Sequence, residues 1–188
     1  MKSLRAGLSA LAFLAAAGIS VLIGNAAAQS LRPYAGMQSR SIKALSAEQI
    51  ADLKAGRGMS LALAAELNGY PGPRHVLELS DQLGLTDQQR AVVQRLFAQM
   101  TAEVIPIGEK LISQEAELDQ LFAGRIATPS SLGSATAAIG TTQAELRNAH
   151  LKYHVLTSGL LTAAQMQRYS QLRGYADESS STQHRPNH

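Results

Sequence analysis

From residue 87 to residue 122 apolar side chains recur at helical spacing: Val92, Val93, Leu96, Phe97, Met100, Val104, Ile107, Leu111, Ile112, Leu118, Leu121 and Phe122. Read as one helix from Asp87 to Phe122, this stretch is on the order of 50 Å long at about 1.5 Å per residue, much longer than a compact bundle of this size needs. Whatever folds with it must lie along it. Pro106 has no N–H to donate and is expected to kink it.

The neighbouring segments are helical too. The spacing predicts a helix over 47–67, with Ile50, Leu53, Leu61, Leu63, Ala64 and Leu67 apolar and a bend at Gly56 and Gly58. "NGYPGPR" (68–74) breaks the chain, and a short helix is predicted from His75 to Gln82, ending at Gly84. After "GRIATPSS" (124–131), where Thr128 can cap and Pro129 can open a helix, an apolar seam returns every seven residues at Leu132, Ile139, Leu146, Tyr153 and Leu160. A final helix covers 163–174. No strand pattern occurs, so the fold class is all-α, with four to five helices around a long kinked central one.

The N-terminus settles the compartment expected. Lys2 and Arg5 precede an apolar run from Leu8 to Ile23, and Ala26 and Ala28 satisfy the small-residue rule for signal peptidase. Residues 1–28 read as a cleavable signal peptide with Gln29 first in the mature chain. A retained anchor is the alternative, although the run is short for a spanning helix. Residues 29–44 read as a flexible N-terminal arm, 45–175 as the helical domain and 176–188 as a disordered tail. The chain has no cysteine, so it folds by burial without disulfides. Without Lys2 and Arg5 the net charge falls from +3 to +1, no basic stripe remains, and nucleic acid is not expected as a partner.

Three short stretches share one pattern: "LSAEQ" (45–49), "LTDQQ" (85–89) and "LTAAQ" (161–165). In each, a hydroxyl (Ser46, Thr86, Thr162) can cap a helix, and the glutamine three residues on (Gln49, Gln89, Gln165) can accept from the cap's own N–H. The leucine before it can staple onto the first turn: Leu45, Leu85 and Leu161. Capping alone accounts for this chemistry.

The recurrence carries more. The pair "LTDQQ" and "LTAAQ", separated by a long helix, together with the closing "LLTAAQMQRYSQLRGY" (160–175), resembles the LTxxQ-motif periplasmic stress proteins of the Spy and CpxP family, which includes related periplasmic heavy-metal sensor and resistance proteins. The resemblance spans residues 45–175. It implies an elongated helical hairpin, usually dimerised into a cradle, that holds unfolded or misfolded periplasmic proteins without ATP. It leaves open whether a membrane sensor kinase or other signalling partner reads the protein's state.

Histidines suggest a second chemistry. "HLKYH" sets His150 and His154 at i and i+4, on one side of a helix and within reach of a single ion, with His150 flanking the seam and His154 further toward solvent. His75 is the remote third ligand, with Glu66 or Glu78 as carboxylate options for zinc, nickel or copper. The opposing reading is a pair of surface histidines, because the Glu of the zinc-peptidase motif is replaced by Leu151. The paired histidines that the metal sensors carry near the mature N-terminus are missing as well. His184 and His188 share the spacing within the tail.

Enzymatic motifs are lacking: there is no G-x-S-x-G, no cysteine nucleophile and no phosphate-cradling loop. The acidic cluster Glu115, Glu117 and Asp119 reads as an exposed face. Met100 and Met166 read as core filling. Two functions remain in view: a holdase that needs no catalytic residue and no cofactor, and a metal-responsive binding protein.

Overall fold

The structure is a computed structural model and describes residues 33–175. The signal segment, the start of the arm and the tail with His184 and His188 lie outside the described residues. The chain divides into two compact units, one up to Ser39 and one from Arg40 on. In the first, residues 33–39 turn back on themselves and close in a 3-10 turn, Met37–Ser39, with the Met37 N–H donating to the Tyr34 carbonyl.

The second unit contains six α-helices and, among the described residues, no strand. They are α1 (Ala47–Lys54), α2 (Leu63–Glu66), α3 (Pro73–Glu78), α4 (Asp87–Ala123), α5 (Pro129–Ser158) and α6 (Ala163–Leu172). The long central helix α4 is present and runs unbroken through Pro106. Both Pro106 and Ala102, whose carbonyl loses its partner there, are exposed. Water can satisfy the orphaned group, so the ladder survives the proline.

α4 and α5 pack antiparallel. Lys152 pairs with Glu103 at 2.6 Å and Lys110 with Glu145 at 3.1 Å, so residue numbers fall on one helix as they rise on the other. Between them lies the main core: Met100, Val104 and Leu111 from α4, Ile139, Leu146, Ala149 and Tyr153 from α5, and Leu53 from α1. The three central positions of the heptad seam are thus the buried ones. A second core joins Val76, Leu83, Leu85, Val93 and Tyr169 where α4 begins and α5 ends.

Four sequence expectations change. The helix predicted over 47–67 is two short helices, because Gly56 adopts φ +64, and a β-carbon there would stand 2.9 Å from Val104. Turns occupy the interval, and close packing on α4 replaces the bend. The short helix runs over Pro73–Glu78 in place of 75–82, opened by Pro73 at a position where its missing N–H costs nothing. Glu115 is buried, at 8% exposure, where an exposed acidic face was expected, and burial raises its pKa. Its neighbours differ: Glu117 is exposed, and Asp119 pairs with Lys43 at 3.4 Å. Ile42, placed by the sequence in the loose arm, is buried as well.

Candidate functional site

The capping glutamines meet. Each hydroxyl accepts from the backbone N–H of its own glutamine, Thr86 from Gln89 at 3.1 Å and Thr162 from Gln165 at 3.2 Å. Each glutamine Oε1 accepts in return from the threonine N–H, at 3.0 and 2.9 Å. The remaining Nε2 groups cross over. Gln89 Nε2 donates to Gln165 Oε1 at 2.9 Å, and Gln165 Nε2 donates to Gln89 Oε1 at 3.0 Å. Each also reaches the carbonyl just before the other motif, Leu160 at 2.9 Å and Gly84 at 3.4 Å.

The two copies thus form a pseudo-twofold amide pair that joins the start of α4 to the chain leaving α5. Leu85 is buried in the second core and Leu161 packs against it. The third copy caps α1 through Ser46 and Gln49 in the same way, but the Gln49 side chain bonds only within its own box. Thr128 and Ser131 form a fourth box at the start of α5, which the LTxxQ pattern does not single out because serine replaces the glutamine.

A second constellation gathers around Glu66, which is only 6% exposed. Its carboxylate accepts from the hydroxyls of Tyr169 and Tyr175 and from the Gly72 N–H at 3.3 Å. Arg173 Nε and His75 Nδ1 each stand 3.5 Å away, and His154 Nδ1 stands at 3.7 Å. Burial alone would raise the carboxyl pKa. The hydrogen bonding and positive charge of His75, the Tyr169 hydroxyl and the Gly72 amide outweigh it and hold the group down to about 2. Burial, and after it the same contact, pushes the Tyr169 phenol up.

His150 and His154 are not surface residues. His150 is 3% and His154 9% exposed, which overturns both the semi-exposed chelate and the solvent-facing position of His154. The reason is that the segment from Gly56 to Gly72, whose many turns carry no period, covers this face of α5. His154 is locked in place: Nδ1 lies 2.7 Å from the Tyr70 carbonyl, and Nε2 abuts Gly72 so closely that a β-carbon there would come within 2.7 Å. His150 Nε2 is buried without a hydrogen-bond partner, and His75 Nδ1, buried as well, has only the Glu66 carboxylate beside it at 3.5 Å. Burial, and then the neighbouring His154, lowers the His150 pKa.

His75, His150, His154 and Glu66 all line one cavity of about 510 Å³. Glu78 stands apart, tied to Arg74 at 2.9 Å on the surface. Among the described residues no group of three or more His, Cys, Asp or Glu side chains is arranged to hold a metal ion. His154 shows why: one of its nitrogens is taken by a carbonyl and the other is closed off by Gly72. Sequence reasoning missed Tyr169, Tyr175 and Arg173 at this centre, although all three lie in the quoted closing stretch 160–175. No family model matches the chain, and neither a curated protein nor a solved structure matches it.

Proposed function

We propose that this chain is a periplasmic, ATP-independent holdase of the LTxxQ type, exported through a cleavable signal peptide ending at Ala28. The observation that supports this reading most is the junction of the two LTxxQ copies through Gln89 and Gln165. It gives the recurrence a shared purpose that single helix caps would not have. In this reading α4 and α5 form an elongated helical hairpin closed by the motif pair, and a homodimer covers the flank that one chain leaves open.

Clients are unfolded or misfolded proteins held by apolar contacts, and no catalytic residue is needed. Exposed side chains suited to such contacts are Leu63, Leu67 and Tyr70, with Val155 and Leu156 on α5. The bond from His154 to the Tyr70 carbonyl brings these two groups of residues together. A signalling partner such as a membrane sensor kinase would read the occupied state. Purified protein at equimolar ratio is expected to suppress light scattering by a heated client and to sediment as a dimer at micromolar concentration. Unchanged client aggregation would end this reading.

A second reading, a zinc, nickel or copper sensor or resistance protein, draws on the convergence of His75, His150 and His154 on one cavity with Glu66. An ion would have to draw His154 from the Tyr70 carbonyl. If this reading holds, zinc raises the melting temperature, and His75→Ala and His150→Ala each abolish the rise. A melting curve indifferent to zinc removes it.

A further inference from the structure

We propose that the cavity beside Glu66 binds a small amphiphilic carboxylate, an anion with an alkyl or aryl body. Its volume of about 510 Å³ lies in the range of small-ligand sites. Met59, Phe97, Met100 and Leu63 supply an apolar wall, and Leu63 is half exposed although it is a large aliphatic side chain.

The polar part of the lining has a surplus of donors. Arg57, Arg74 and Arg173 all line the cavity. Each makes its bonds through Nε alone: Arg57 to Asp52, Arg74 to Glu78, and Arg173 to the Tyr175 hydroxyl and, as an ion pair, Glu66. Among the described residues their terminal guanidinium nitrogens have no acceptor. The planar fork they present is the geometry that takes a carboxylate through two parallel hydrogen bonds.

The acids in the lining cannot turn this preference round. Glu66 is enclosed by donors, and Asp52 is bound to Arg57. A cationic ligand would find both lining carboxylates, Asp52 and Glu66, already paired. Buried in the wall, His150 Nε2 has no protein partner, a polar group left for something the protein does not itself supply.

The backbone is also unusual here. Met59 and Ser60 both adopt left-handed φ, 40° and 65°, in a turn closed by the Leu61 N–H donating to the Gly58 carbonyl. Two consecutive left-handed residues other than glycine are strained, and such strain concentrates at ligand sites.

The test is calorimetric titration of the purified protein with decanoate below its micellar concentration. A saturable 1:1 isotherm with a dissociation constant below about 1 mM is expected. Decyltrimethylammonium, with the same tail and the opposite charge, should bind at least about tenfold more weakly. R57Q/R74Q should weaken decanoate at least about tenfold with an unchanged melting temperature, since both side chains are exposed and paired only at the surface. Leu63→Ser, which adds no charge, should weaken it by the tail contact alone. Absence of saturable binding, equal affinity for the cationic chain, or undiminished affinity in both variants overturns the proposal. Holding clients is a separate property: a protein that binds decanoate but protects no client keeps this site and loses the holdase.

Discussion

Glu66→Ala is expected to destabilise the protein by about 3–5 kcal/mol, the usual cost of removing one partner from a buried, charged network. Two tyrosine hydroxyls and one amide N–H would lose a shared acceptor, and Arg173, His75 and His154 would lose the carboxylate that stands 3.5 to 3.7 Å from them. These groups come from the segment after α2, from α3, from α5 and from the C-terminal stretch, so four parts of the unit come loose together. Urea unfolding measures the loss. A change below about 1 kcal/mol would show that the carboxylate is dispensable, and that packing alone gathers these parts.

The same residue fixes a pH dependence. Its carboxyl titrates at about 2 in the folded protein against an ordinary 4.5. The unfolded chain therefore takes up the proton first as pH falls. The stabilisation is fully present above pH 4.5 and disappears between 4.5 and 2, with a size on the order of 3 kcal/mol. His150 adds an earlier step of the same sign. Its folded pKa is lowered below 6.5 by burial, so stability starts to fall as pH drops through 6.5. Stability should thus fall in two stages as pH drops, and Glu66→Ala should erase only the lower one. An acid limb that Glu66→Ala leaves unchanged would assign that stage to other carboxylates.

The glutamine junction gives the second large effect. Gln89→Ala and Gln165→Ala should each cost about 1–2 kcal/mol, since each removes half of a capping box and one side of the amide pair. The double variant should cost less than the two together, with a coupling of about 1 kcal/mol, because either single change already breaks the reciprocal bonds. Gln49→Ala is the internal control. That side chain serves only its own cap, so its loss should stay below about 1 kcal/mol and couple to neither of the others. Additive losses at Gln89 and Gln165 would reduce the motif pair to two independent caps.

What the sequence disclosed here was local. Hydroxyl and glutamine three residues apart specify a capping box wherever they occur, and period-3.6 patterning specifies α4 and the seam of α5. The meeting of Gln89 with Gln165 is a relation across 76 residues, and it depends on two helices of similar length running back to back. The burial of His150 and His154 was hidden for a related reason. What covers them is a run of turns around Gly56, Gly58, Gly69 and Gly72, whose path is set by packing on α4 and α5 and leaves no periodic trace. Glu66 stood out only as a spare carboxylate, because its partners Tyr169 and Tyr175 lie more than a hundred residues away.

The amide pair also alters what the turn between α4 and α5 must do. That turn, with Arg125 at φ 54, joins the two helices covalently at one end, while Gln89 and Gln165 join them non-covalently at the other. The scaffold is in effect a ring with one peptide clasp and one amide clasp. The entropy of bringing the helices together is shared between the clasps, and lengthening the peptide one raises the cost only logarithmically. Residues 124–128 are therefore the place where this molecule can accept inserted sequence while its opposite end stays shut.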